Sequence, residues 1–504
     1  MRSGDTMVQD YGLFIGGKWR KSEGKHFETR NPATGEILAT FPSAAKAEVD
    51  ESARVAKAAF EKWKKTPAPR RGELLLEGAR IFRRKKEDLA RVVTTEMGKI
   101  LAEGRGDVQE VIDFYEYAAG EGRRMFGETT PSELPNKMCL TVRMPVGPVG
   151  LITPWNFPMA IPAWKSGAAL IAGCPFVLKP SSLTPLCAAK FIEVLDEAGF
   201  PPGVVNMLTG GGEVVGDGLV AHRDIRAISF TGGVETGKHV YESAAKKMIK
   251  VGLELGGKNP ILAMDDANID LLMDGVMFGA FGTAGQRCTA SSRLIVHQKI
   301  YDQVIDELVE RVEKLRVGNP IDPKTDMGPV ASADQEKKVL EYIEIGKKEG
   351  DKLLTGGQKL KGSAYDKGFF IAPTVFAVDR TKRLAQEEIF GPVLSVLKTR
   401  DFDDAVAIAN SVRYGLSSSI YTNDLRWAFR AMNDLEAGIT YVNAPTIGAE
   451  VHLPFGGTKE TGPTDTREAG TTSLDEFTYW KTVYVDYSGR LQRAQIDTEK
   501  LVGG

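Results

Sequence analysis

Three short runs constrain this chain more than any other feature: Val149-Gly150-Leu151-Ile152, Phe176-Val177-Leu178 and Ala227-Ile228-Ser229-Phe230. Each is apolar along nearly its whole length, the pattern of a strand buried on both faces in a parallel sheet. Parallel strands need crossovers, and helical segments lie between these runs. After the second run Thr184 is a candidate N-cap and Pro185 takes a natural first helical position, opening an amphipathic helix through Ala198. Strands alternating with helices predict an α/β doubly wound sheet, whose ligands bind beyond the carboxyl ends of its strands.

The chain is long enough for more than one such core. Its 504 residues predict two or three domains with room for a cofactor cleft. Ahead of the strands, Val49, Ala53, Ala56, Phe60 and Trp63 recur at helical spacing, and Arg71 to Met97 repeats that pattern. A second α/β region runs from Gly257 to Gly456, with a helix over Ile300 to Arg316 and a strand over Ser417 to Tyr421. Two more stretches, Cys139 to Met144 and Tyr479 to Tyr487, read as strands that no central sheet needs. Exposed edges of this kind call for cover, so they are expected to pair with each other and with another subunit.

Composition excludes several classes of partner. A net charge of −2 gives no electrostatic case for nucleic acid or an anionic membrane. The longest apolar runs are far shorter than a bilayer span. Met1 to Asp5 lacks the apolar stretch of a secretory signal, which points to the cytoplasm. The four cysteines (Cys139, Cys174, Cys187, Cys288) are expected to be reduced thiols, and the five scattered histidines form no metal-ligand pattern.

The chemistry-bearing motifs follow the strands. Pro154-Trp155-Asn156-Phe157-Pro158 comes directly after Ile152, where Asn156 can aim an amide donor at an oxyanion or simply hydrogen-bond the turn. Lys179-Pro180-Ser181-Ser182 ends the next strand, placing an ammonium and two hydroxyls at the ligand crevice or in a solvated loop. Gly232-Gly233-Val234-Glu235-Thr236-Gly237 follows Phe230, and a helix opening at Glu235 offers free N–H groups to a phosphate. Its spacing is not GxGxxG, and a plain glycine turn fits equally.

Cys288 lies in Gly285-Gln286-Arg287-Cys288-Thr289, flanked by polar residues rather than an apolar run. It is either a small buried hydrophobe or a nucleophile, and Arg287 beside it can favour the thiolate. Glu254, in Glu254-Leu255-Gly256-Gly257-Lys258, sits in an apolar stretch where burial either lifts its pKa toward that of a general base or demands a cationic partner. A thiolate that adds to a carbonyl and a carboxylate that activates water together describe aldehyde oxidation through a thioester.

These motifs, with Glu387-Glu388-Ile389-Phe390-Gly391-Pro392 and Pro454-Phe455-Gly456-Gly457, resemble the aldehyde dehydrogenase superfamily in order and spacing, from Phe14 through Gly470. The resemblance implies a Rossmann-type dinucleotide-binding domain over residues 1–124 and 146–256 and an α/β catalytic domain over 257–456. A β oligomerisation arm and C-terminal tail would occupy 125–145 and 472–504. It implies Cys288 as nucleophile, Glu254 as general base, and Asn156 with the Cys288 N–H as oxyanion hole. Along the dinucleotide it implies Ile152, Thr153, Pro154, Trp155, Lys179, Ser181, Ser182, Gly212, Gly216, Phe230, Thr231, Gly232 and Gly233, with Leu255 near the nicotinamide. Glu388 and Phe390 would hold the nicotinamide ribose, and no metal is required.

Two departures from the family pattern stand out. Many NAD-preferring members carry Glu where this chain has Ser182, so NADP is expected to be preferred, with NAD also used. Gly233-Val234 replaces a common Ser-Thr. Members acylating coenzyme A generally lack the glutamate found here as Glu254, so hydrolysis is favoured over acyl transfer, and both Cys288 and Glu254 argue against a non-catalytic relative. The segment Gly448 to Gly457 is similar to members acting on small hydroxy-, oxo- or semialdehyde metabolites, making glyceraldehyde and carboxylate semialdehydes the expected substrates. A homodimer or homotetramer is expected.

Overall fold

In the computed structural model the described residues are 8–496, so the N-terminal reading on Met1 to Asp5 and the last residues of the tail, 497–504, lie outside them. The three founding strands form as expected, at Val149–Ile152, Phe176–Lys179 and Ala227–Thr231. They belong to a seven-stranded sheet in which Lys250–Glu254, Ala227–Thr231, Val149–Ile152, Phe176–Lys179 and Val205–Met207 run parallel in that order. Leu13–Phe14 and Trp19–Arg20 extend it antiparallel. The chain enters at Val149–Ile152, builds outward to one side, then returns to build the other. The order therefore reverses between Val149–Ile152 and Ala227–Thr231, and a crevice opens at such a point.

The second α/β region folds around its own seven-stranded sheet. Its order is Lys352–Thr355, Thr374–Ala377, Val393–Thr399, Ser291–His297, Asn259–Ala263, Ser417–Tyr421 and Ile439–Val442, parallel except for the first strand. Cys139 to Met144 and Tyr479 to Tyr487 do pair with each other, as Lys137–Pro145 against Thr478–Asp486, antiparallel with Tyr484 opposite Cys139. Thr129–Pro131 completes that small sheet.

Arg71 to Met97, which repeats the helical pattern, lies in two helices, Ala68–Arg84 and Lys86–Met97, broken at Lys85. One helical reading needs correction. Thr184 does not cap the helix Pro185–Glu197: its hydroxyl is buried without a partner. The Glu96 carboxylate does that work from another element, accepting from Leu186 N at 2.8 Å and Cys187 N at 2.7 Å. A carboxylate at a helix start satisfies orphan N–H groups and favours the dipole, so the local hydroxyl is redundant. Val49, Ala53, Ala56, Phe60 and Trp63 all face inward from the helix Lys46–Trp63. Among the described residues no helix is long and apolar enough to cross a membrane.

Candidate active site

The crevice at the order reversal is lined by the residues that follow its strands. Pro154, Trp155 and Asn156 come from beyond Val149–Ile152; Thr231 ends Ala227–Thr231, and Gly232 and Gly233 follow it; Leu255 and Gly256 come from beyond Lys250–Glu254. From the second sheet's region Cys288, Gln335, Lys338, Glu388 and Phe390 complete a cavity of about 190 Å³. Gly233, Lys338 and Glu388 also line a neighbouring cleft of about 650 Å³, so the two spaces adjoin.

Cys288 is presented by a tight turn. Thr283 and Ala284 take left-handed φ values of 53° and 51°, and Gly285 follows at 67°, where a Cβ would run into the Gly391 carbonyl. Asn259 Nδ2 then holds the loop, donating to the carbonyls of Cys288 at 2.8 Å and Ala290 at 2.9 Å. The thiol is half-buried, and its pKa is pushed up to about 12, first by burial and then by the charges of Glu254, Glu388 and Glu468. This corrects the expectation that Arg287 favours the thiolate. Arg287 is spent elsewhere, donating from Nη2 to Glu103 and from Nε to Thr283. In this state Cys288 is a thiol, and a base or an arriving positive charge must help it ionise.

Glu254 is buried, with Oε2 lacking any partner among the described residues. Burial first, and repulsion from Glu468 second, lift its pKa well above the carboxylate range; Lys165 and Arg467 oppose that rise. Both alternatives read from the sequence therefore meet here: no direct salt bridge satisfies Glu254, and nearby cations temper it. Asn156 is buried too, and its side chain makes no hydrogen bond among the described residues, so it is not a turn-locking residue. An amide left unpaired at a cavity wall is available to a ligand oxygen.

The glutamate and aromatic pair fall into place around this cavity. Glu388 accepts from Gly257 N at 2.8 Å, and its carboxyl occupies the space a side chain at Gly256 would need. Phe390, at φ 60°, stands edge-on to Trp155 with ring centroids 5.4 Å apart, and Gln335 Nε2 donates to its carbonyl at 2.6 Å. Gly233 precedes the helix Val234–Ala245, whose first turn has no side-chain cap and opens on the larger cleft. Uncapped N–H groups at that point fit a phosphate.

The remaining sequence-predicted residues are more dispersed. Ile152 and Phe230 are core residues, the Phe230 ring lying where a Cβ on Gly232 would be 2.6 Å away. Thr153 is buried at the strand's end. Lys179 is buried with its pKa pushed down to about 8 by that burial, and donates to the Pro180 carbonyl at 3.2 Å. Gly216 lies beside it, and Gly212 opens the same turn, Gly212–Gly216. Ser181 Oγ accepts from Leu183 N at 3.2 Å, whereas Ser182 is exposed with one long hydrogen bond, 3.5 Å, to the Gly210 carbonyl.

Sequence reading missed a buried ionic group behind Glu254. Lys165 pairs with Glu468 and donates to Ser229 Oγ at 2.8 Å, while Thr231 Oγ1 donates to Glu468 at 3.4 Å. Glu476, lifted to about 7 chiefly by burial, lies against the same group. One signal was present: Lys165 is the single charge in the apolar helix Ala160–Ala172.

Comparison with known proteins gives a consistent result. The model of the aldehyde dehydrogenase family matches residues 19–483. An α-ketoglutarate semialdehyde dehydrogenase of Haloferax volcanii is 43% identical over 479 residues, 94% of this chain and 98% of that protein. A 2,5-dioxopentanoate dehydrogenase of Saccharolobus solfataricus is 42% identical over 93% of this chain and 98% of its own. The solved betaine aldehyde dehydrogenase of Staphylococcus aureus in complex with NAD+ superposes with a TM-score of 0.93 at 35% identity, covering 95% of this chain and 96% of that one. A 3,6-anhydro-L-galactose dehydrogenase in complex with NADP superposes at 0.92, also 35% identical, over 95% and 100%.

The high pKa of Cys288 has a direct consequence. Its alkylation by iodoacetamide, followed by peptide mass, is expected to rise about tenfold per pH unit up to pH 10 in the ligand-free protein, because the thiolate fraction does. A plateau below pH 8 would contradict the burial argument.

Proposed function

The chain belongs to the aldehyde dehydrogenase family, and on that premise we propose that Cys288, Glu254 and Asn156 oxidise a small semialdehyde through a thioester released by water. One observation carries the reading: Cys288 and the unpaired Asn156 line a single cavity at the sheet's order reversal, with the orphaned Glu254 carboxyl close enough to raise the thiol's pKa. The Cys288 thiol gives up its proton to solvent water, the thiolate sulfur adds to the aldehyde carbon, and the oxyanion takes hydrogen bonds from the Asn156 amide and the Cys288 N–H. A bound nicotinamide dinucleotide supplies the hydride acceptor. Loss of hydride re-forms the carbonyl as a thioester on Cys288. Glu254 then takes a proton from water, whose oxygen attacks the thioester; the carboxylate product leaves and the sulfur regains its proton.

Dinucleotide binding is supported by the uncapped helix start beyond Gly233, by Glu388 at the cavity wall and by Lys338 between the two spaces. The contacts proposed along it remain Ile152, Thr153, Pro154, Trp155, Lys179, Ser181, Ser182, Gly212, Gly216, Phe230, Thr231, Gly232, Gly233, Leu255, Glu388 and Phe390. The domain boundaries proposed from sequence keep their limits, with residues 1–124 and 146–256 binding the cofactor, 257–456 carrying Cys288, and 125–145 with 472–504 as arm and tail.

Relatives named for α-ketoglutarate semialdehyde and 2,5-dioxopentanoate favour a carboxylate semialdehyde over glyceraldehyde. Glu254 favours water over coenzyme A as acyl acceptor. Assembly as a homodimer or homotetramer is supported by exposed Tyr479, Trp480, Tyr484 and Val485 on the arm strand. A cytoplasmic location is supported by the four free thiols.

Three measurements test this reading. Reduced-nicotinamide absorbance is expected to grow with aldehyde and no coenzyme A, and Cys288→Ala is expected to abolish it; near-normal turnover in that variant overturns the mechanism. NADP is expected to be used at least as well as NAD, because Ser182 offers a hydroxyl and no charge beside Lys179. Ser182→Glu is expected to shift the ratio of specificity constants toward NAD by about ten- to a hundredfold, and a wild-type enzyme strongly preferring NAD contradicts it. Light scattering is expected to give two or four subunits, and a monomer refutes the arm.

A further inference from the structure

A separate cavity, of about 520 Å³, is lined by Phe157 and Arg287, the chain neighbours of Asn156 and Cys288. The chain steps from Asn156 on one cavity to Phe157 on the other, and from Cys288 to Arg287. The hydride acceptor takes one face of the carbon bonded to sulfur, so the rest of the aldehyde chain needs space outside the dinucleotide cleft, and this cavity offers it. Its walls are mostly apolar, with Ile100, Met277, Phe278, Phe281 and Leu315. The polar groups among them are unevenly satisfied.

Asp107 is neutralised by Lys99 at 3.0 Å and accepts from Ala160 N at 2.7 Å. Asp326 is held by Arg316 at 2.9 Å. Arg287 gives Nη2 to Glu103 at 2.8 Å and Nε to Thr283 at 2.9 Å, while Nη1 has no acceptor among the described residues. The guanidinium lies 5.3 Å from the ring centroids of both Phe157 and Phe278. Two aromatic rings fix its position, and a planar guanidinium offers its donors at the edge. A carboxylate is the group that matches such an edge, through two parallel hydrogen bonds.

We propose that Arg287 is the specificity-determining residue for the far end of the substrate, receiving on its free Nη1 edge the carboxylate of a short acid-terminated aldehyde. This rests on the aldehyde-oxidation reading and deepens it by naming the residue that receives the substrate's carboxylate. Glu103 competes for the same guanidinium and holds it in place while the cavity is empty of substrate. Glu110 lines the same wall without a hydrogen-bonded partner among the described residues; burial first, then Asp107, push its carboxyl up to about 7, so in its protonated form it donates to a carboxylate.

The experiment compares specificity constants for 4-oxobutanoate, butanal and 3-aminopropanal, short chains ending in an anion, a methyl group and a cation. The wild-type enzyme is expected to prefer 4-oxobutanoate. Arg287→Gln is expected to lower the ratio of 4-oxobutanoate to butanal by about ten- to a hundredfold, mainly through KM. Glu103→Gln is expected to raise that ratio, since it removes the competing carboxylate; it reads the same contact should Arg287→Gln fail to fold. Both substrates oxidised with an unchanged ratio in the two variants, or a wild-type preference for 3-aminopropanal, overturns the assignment of Arg287 alone. An enzyme that oxidises none of the three overturns the aldehyde-oxidation reading together with it.

Discussion

Four residues, Leu255 to Lys258, carry the chain from the last strand of one seven-stranded sheet, Lys250–Glu254, to the middle of the other, Asn259–Ala263. The rest of the site depends on how tightly that crossing is made. A side chain at Gly256 would enter the Glu388 carboxyl, and one at Gly257 would lie 2.6 Å from the Cys288 carbonyl oxygen. Only glycine allows backbone so close to both, and the closeness is what brings Glu254, Glu388 and Cys288 from separate elements to one place. Thr461 ties the crossing down, accepting from Leu255 N through its carbonyl at 2.8 Å and donating from its hydroxyl to the Gly256 carbonyl at 2.8 Å.

Concentrating acids there has an electrostatic consequence. Glu254, Glu388 and Glu468 all raise the Cys288 pKa, and Glu254 is itself raised by burial and by Glu468. The low dielectric that makes the thiol reluctant also raises the basicity of Glu254, as the proposed general-base role requires. Lys165, bound to Glu468, sets the limit on that effect.

Legibility in the sequence followed distance along the chain. The founding strands were readable because runs such as Phe176 to Leu178 are apolar on both faces, and Ser417–Tyr421 formed with its expected limits. Gly232, Gly256 and Asn156 were flagged by local motifs, and the structure puts all three on one cavity. What could not be read was partnership across the fold. The Glu96 carboxylate displaces Thr184 as helix cap from 88 residues away in sequence, Glu103 captures Arg287 at a separation of 184, and Lys165 finds Glu468 at 303. Those pairings decided the local chemistry, and no spacing rule records them.

In the proposed reaction an acyl group rides on Cys288 and Glu254 releases it. The most direct measurement is the intact mass of Glu254→Gln after mixing with aldehyde and oxidised cofactor, followed by peptide mapping. A burst of about one reduced cofactor per subunit is expected, with an acyl adduct on Cys288 that persists while turnover stays slow. Wild-type turnover in Glu254→Gln with no adduct on Cys288 would contradict it.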